Sequence, residues 1–112
     1  MLIYKILTGQ QWDDLQTQGE TSGAPVDIAD GFVHFSTAAQ SAETAAKHFA
    51  GQEDLHLLAL DPTTLGDALK WEPSRGGDLF PHLYATLRLQ DVTWSKPLPL
   101  IDGKHSFPPG MT

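Results

Sequence analysis

Two stretches of the chain hold polar and ionisable groups at spacings that could do chemistry. The first is Gly31-Phe32-Val33-His34-Phe35-Ser36-Thr37. Strand alternation puts His34 and Ser36 on one face, about 7 Å apart, with Phe32 beside them. An imidazole and a hydroxyl pointing the same way can hold two hydroxyls of a sugar or orient a carboxamide. The plain alternative is a partly buried histidine bonded to a backbone carbonyl, with Ser36 at a helix entry. The second stretch is Trp71-Glu72-Pro73-Ser74-Arg75-Gly76-Gly77-Asp78-Leu79-Phe80-Pro81-His82-Leu83-Tyr84. Turns fold it back, so the Glu72 carboxylate, the Arg75 guanidinium, the His82 imidazole and the Tyr84 phenol can converge. Arg75 suits a phosphate, being planar and permanently charged. Gly76 and Gly77 let backbone N–H groups approach an anion closely, and Pro81 stiffens the backbone that aims His82. The alternative here is a plain hairpin with Glu72 paired to Arg75, and Trp71, Phe80 and Tyr84 suit a core as well as a ligand. Strand parity predicts that His34, Ser36, Glu72, Arg75, His82 and Tyr84 line one pocket.

Composition narrows what that pocket could do. The 112 residues hold 14 acids against 7 Lys or Arg, a formal net charge of −7. That balance argues against binding a nucleic-acid backbone, which needs clustered cations. There is no cysteine, hence no disulfide scaffold, thiolate metal site or cysteine nucleophile. No Walker loop, dinucleotide fingerprint, Gly-x-Ser-x-Gly elbow or His-Glu-x-x-His motif occurs, and no metal is expected. No apolar run approaches the ~20 residues of a membrane span, and Met1 leads straight into a strand-like segment. A soluble, cytoplasmic, single domain over 1–112 is expected. Acids crowd residues 1–61, where Lys5 and Lys47 are the only Lys or Arg. The second half should therefore supply the cation for any anionic ligand, and Arg75, beside its glycine pair, is the candidate. His48, His56 and His105 carry no chemical expectation.

These groups must be positioned by short elements. Residues 2–7 read as a strand, and Thr8 caps a helix carrying Trp12 and Leu15 on one face. Residues 18–30 have the Gly, Ser, Pro and Asp content of a loop. Residues 32–36 read as a second strand. Thr37 with Gln40 matches a capping box for a helix to about Phe49, with a stripe of Ala42, Ala45, Ala46 and Phe49. Leu55–Leu60 is apolar on both parities, as in a central, doubly buried strand. A short helical turn spans 65–69, a brief strand 70–72, and an alternating strand 83–89. Pro97 and Pro99 mark residues 92–101 as an edge, and Asp102-Gly103 signals a hairpin turn. The irregular order predicts an α+β fold.

Over nearly its whole length, from Ile3-Tyr4-Lys5-Ile6 through Asp30-Gly31-Phe32-Val33-His34-Phe35-Ser36-Thr37 to Leu79-Phe80-Pro81-His82-Leu83-Tyr84, the chain resembles a small bacterial family built on a domain of unknown function. That family looks like a compact relative of the ADP-ribosyltransferase fold: two short, mainly antiparallel sheets around a cleft, with two or three helices. The resemblance implies NAD as a possible co-substrate. His34, Glu72 and His82 would be the catalytic candidates, and Ser36, Thr37, Arg75, Gly76, Gly77 and Tyr84 would bind the nucleotide. In this reading the pyrophosphate sits at Arg75 and the glycine pair, and Glu72 stabilises an oxocarbenium-like state. The rival readings are a nucleotide-binding domain without chemistry and a protein-interaction domain.

Overall fold

The computed structural model describes residues 1–112, the side chain of Arg75 excepted. Strand β1 (Ile3–Thr8) runs directly into helix α1 (Gly9–Gln18). Thr8 makes the junction: its side chain accepts from Gln11 N at 3.1 Å while Gln11 Oε1 accepts from Thr8 N at 2.9 Å. The chain continues through β2 (Glu20–Thr21), α2 (Pro25–Asp30), β3 (Val33–His34), β4 (Ser36–Thr37), α3 (Ala38–His48) and β5 (Leu55–Leu60). After a 3-10 segment at Pro62–Ala68 come β6 (Leu69–Pro73), β7 (Leu79–Leu83), β8 (Leu87–Arg88), β9 (Val92–Leu98), β10 (Leu100–Ile101) and β11 (Lys104–His105).

The main sheet has the order β4-β1-β5-β9, all antiparallel. Its centre is buried from both sides because alternate residues of β1 and β5 enter different cores. Ile3, Leu7, Leu58 and Leu60 meet Leu15, Val33, Leu83 and Leu87 on one face. Tyr4, Ile6, Leu57 and Ala59 meet Ala45 and Leu98 on the other. Leu55–Leu60 is thus the central strand its composition predicts, and β9 with Pro97 is an edge. A second sheet has the order β3-β7-β6, and two ribbons, β2-β8 and β10-β11, complete the α+β fold. The β10–β11 turn holds Asp102 and Gly103 at φ of 52° and 79°, the left-handed pair a tight hairpin needs. Among the described residues no helix is long and apolar enough to cross a membrane.

Four local expectations need correction. Residues 18–30 are not all loop: Pro25 starts a helical turn whose N-terminus is held by Asp27, which accepts from Ala24 N at 2.7 Å. Residues 32–36 are not one strand. Phe35 is buried, its N–H donates to Pro81 O at 3.0 Å, and the chain passes there from the second sheet into the main one. The strand placed at 83–89 ends at Leu83, because Tyr84 N turns to Ala68 O at 2.8 Å and Ala85 is exposed. On α3 the buried positions are Ser41 and Ala45, while Ala42 and Ala46 face outward. Ser41 tolerates burial because its hydroxyl donates to Thr37 O at 2.8 Å.

The capping box at Thr37 and Gln40 is present as predicted, with Thr37 accepting from Gln40 N at 3.2 Å and Gln40 Oε1 from Thr37 N at 3.0 Å. Thr37→Ala should cost about 1 kcal/mol and lower the melting temperature by roughly 4–8 °C. An unchanged melt in a calorimetric scan would show that packing alone holds this helix end.

Candidate functional site

The passage at Phe35 opens a cleft. Because β4 pairs only with Ile3 and Tyr4 of β1, the two sheets part beyond Tyr4, and α2 and α3 wall the gap. The cleft has a volume of about 580 Å³. Tyr4, Lys5 and Ile6 line it from β1, Ser36, Ser41 and Thr44 from β4 and α3, and Pro25, Val26 and Asp30 from α2. The second sheet contributes His34, Phe80 and His82. The lining interleaves apolar and aromatic side chains with hydroxyls, imidazoles and charged groups.

His34 and His82 stand opposite each other in the β3–β7 register, their ring centroids 5.3 Å apart and edge to face. Phe32 packs on both, at 4.5 Å from His34 and 4.2 Å from His82, and reaches Tyr84 at 5.1 Å. Pairing of Lys70 with His82 and of Glu72 with Phe80 puts Glu72 on the same sheet face. Glu72 Oε1 then accepts from His82 Nδ1 at 2.8 Å and from the Tyr84 hydroxyl at 2.7 Å. The Tyr84 hydrogen bond, followed by the His82 one, holds the Glu72 carboxyl below its usual range. The same hydrogen bond to Glu72 raises the Tyr84 phenol. A carboxylate only accepts, so Nδ1 carries the proton and Nε2 keeps a lone pair. Nε2 has no hydrogen-bond partner among the described residues and is not sealed from solvent. An oriented imidazole with an open nitrogen at a cleft wall has the geometry that general acid–base chemistry requires.

The His34 side is built on a buried carboxylate. Asp27, with a wholly buried side chain, accepts from His34 Nδ1 at 2.6 Å, His34 N at 3.0 Å, Lys5 Nζ at 2.8 Å and Ala24 N at 2.7 Å. Burial alone would push this carboxyl up, but the His34 hydrogen bonds and the Lys5 charge outweigh it and hold it at about 2. Lys5 is buried as well, and desolvation lowers its amine against the opposing pull of Asp27. Gly23 is required beside the carboxylate, at φ of 99°, where a Cβ would stand 2.3 Å from Asp27 Oδ2. On the outer side of the ring, Asp30 Oδ2 lies 3.0 Å from His34 Nε2.

Several predicted residues therefore converge. His34, Ser36 and His82 line one cleft, with Ser36 Oγ 2.8 Å from Thr44 Oγ1. Glu72 and Tyr84 share the cluster but stand behind His82 rather than in the cleft wall. Thr37 caps α3 and is not in the wall. Gly76 and Gly77 adopt φ of 65° and 84° in a turn outside the wall, although Ser74 of the same loop lines the cleft. The Arg75 side chain, the expected phosphate ligand, lies outside the described residues. Lys5 of the first half is part of the cleft, but its amine is paired with the buried Asp27 carboxylate. His48, to which no role was assigned, is also part of the cleft. Lys5, Asp27 and Asp30 are the groups that sequence reasoning missed. One signal existed for Lys5: it has the inward parity of Ile3 and Leu7.

A family described as "Protein of unknown function (DUF952)" matches residues 6–95. Among solved structures, the chain is similar to the crystal structure of protein CC0527 from Caulobacter crescentus. The two are 50% identical, with 95% of this chain and 94% of that one covered and a TM-score of 0.91. The solution NMR structure of CC0527 is also 50% identical, covering 93% and 90% of the two chains with a TM-score of 0.83. No curated protein matches.

Proposed function

The chain belongs to the DUF952 family, and from that premise we propose that its cleft binds NAD or another ADP-ribose-type nucleotide and transfers or hydrolyses the ADP-ribose. The observation that carries this reading is the pair of carboxylate-backed imidazoles facing an aromatic cleft of about 580 Å³. The ionisable groups described in its wall are Tyr4, Lys5, Asp30, His34, His48 and His82, with Lys5 paired to Asp27 and His82 to Glu72. The imidazoles and phenyl rings suit a ligand with flat rings, and in this proposal Arg75 supplies the cation for its phosphates. Two sheets parting around a cleft also suit the ADP-ribosyltransferase-like arrangement, which forms part of the same proposal.

In this reading Ser36 hydrogen-bonds the nicotinamide ribose or carboxamide, and His34, its two ring nitrogens held by Asp27 and Asp30, forms the wall at that end. Arg75, Gly76 and Gly77 take the pyrophosphate at the rim near Ser74. The C1′–N bond breaks with its electron pair leaving on nicotinamide, water or an acceptor hydroxyl bonds to C1′, and His82 Nε2 takes the released proton. Glu72 is a positioning residue that holds the His82 tautomer, much as a carboxylate does in a catalytic triad. One observation favours a second reading, nucleotide binding without turnover: the Glu72 carboxylate faces Tyr84 and His82, not the cleft.

Melting the protein with NAD, ADP-ribose and related nucleotides tests the proposal. Ligand at about 100 times its Kd should stabilise the fold by roughly 2.7 kcal/mol, a shift on the order of 10 °C. No shift with any of them would overturn it and leave the interaction-domain reading.

A further inference from the structure

The Asp30 carboxylate enters the cleft wall beside His34, at the C-terminal end of α2. Gly31 follows at φ of 85° and donates its N–H to Asp27 O at 2.9 Å, which fixes where Asp30 leaves the helix. One oxygen, Oδ2, stands 3.0 Å from His34 Nε2. The side chain is 48% exposed, and Oδ1 has no hydrogen bond to a described residue. It is the one carboxylate among the described residues of the wall, since Asp27 lies sealed behind His34.

We propose that Asp30 reads a ribose diol and excludes a phosphate at the His34 end of the cleft, so that the sugar distal to adenine, not a terminal phosphate, occupies that end. This rests on the reading of the cleft as a site for an ADP-ribose-type nucleotide. A carboxylate accepts from hydroxyl donors, and a charge-assisted bond of this kind is strong where solvent is restricted. A terminal phosphate is largely deprotonated at neutral pH, so it offers few donors and meets like charge at the same place. Asp30 thereby assigns the ligand's direction: anionic groups lie toward His48, His82 and the Ser74 loop, and the neutral diol lies toward α2.

ADP-ribose and ADP separate these terms, because ADP-ribose carries a ribose where ADP ends in a charged phosphate. Calorimetric titration of the full chain should show ADP-ribose bound at least tenfold tighter than ADP. Asp30→Asn keeps an oxygen near His34 and removes the charge, so it should weaken ADP-ribose about tenfold and strengthen ADP, closing the gap. Asp30→Ala should move both ligands in the same directions, with far-ultraviolet circular dichroism confirming the fold. An unchanged ratio in Asp30→Asn, or tighter ADP-ribose binding, would overturn the role of Asp30 while leaving nucleotide binding intact. Failure of the unmodified protein to bind either ligand would overturn both proposals.

Discussion

Replacing Asp27 by alanine should lower the melting temperature by on the order of 20 °C, the largest stability effect expected of any single polar substitution here. The reason is not the loss of one contact. Lys5 would be left charged and buried with its partner gone, and removing one member of a buried pair typically costs about 3–5 kcal/mol. The N–H groups of Ala24 and His34 would lose their acceptor too, so the start of α2 and the His34 tautomer would loosen together. Lys5→Met should cost less, because Asp27 keeps its bonds from His34 and Ala24. A double substitution that removes both charges should recover part of the loss. Equal melts for the Asp27→Ala and Lys5→Met variants would show that the ion pair, not the wider set of donors, dominates.

The same carboxylate predicts an acid transition. Its folded value of about 2 lies below its ordinary value of 3.8, so the native state binds the proton less readily than the unfolded chain. Its contribution is therefore fully present above about pH 5 and is lost as the pH falls from about 4 through 2. By linkage it amounts to roughly 2–3 kcal/mol. Melts from pH 6 to pH 2 should show this loss, and it should be absent from the Asp27→Asn variant.

His82→Gln should reduce the rate of nicotinamide release from NAD by about 10²–10⁴-fold, the usual contribution of a positioned acid–base group. Glutamine keeps the polarity of the position but cannot carry a proton between water and cleft. Glu72→Gln should act more weakly and differently. Its carboxylate lies behind the ring and is exposed, so the fold should be little affected, whereas turnover should fall, by less than in His82→Gln, because the ring loses the acceptor that orients it. Turnover undiminished in His82→Gln would remove the general-base role. Binding retained with no turnover in the unmodified protein would favour the second reading.

What the sequence determined by itself is local in origin. The cap at Thr8 and the box at Thr37 with Gln40 were legible because capping joins residues a few positions apart, whatever the rest of the chain does. Leu55–Leu60 declared its central place because an apolar run on both parities cannot sit on a one-sided sheet. The Asp102-Gly103 turn followed from the backbone preferences of those two residues. The turns at 73–78 likewise made it legible that Glu72 and His82 meet, since a chain folded back on itself pairs residues of adjacent strands.

Only the tertiary structure decided the rest. A six-residue helix such as α2 has too few turns to leave a periodic trace, so Asp27 and Asp30 read as loop acids. Asp27 acquires its meaning from Lys5, 22 residues away, and Lys5 can be buried only because Asp27 is there. The switch of sheets at Phe35 depends on which distant strands flank it: β3 lies against β7 and β4 against β1. That switch parts the sheets and makes the cleft. Spacing along a chain specifies which way side chains point, but a cavity and a buried charge are set by what arrives opposite them, and that is a property of the folded whole.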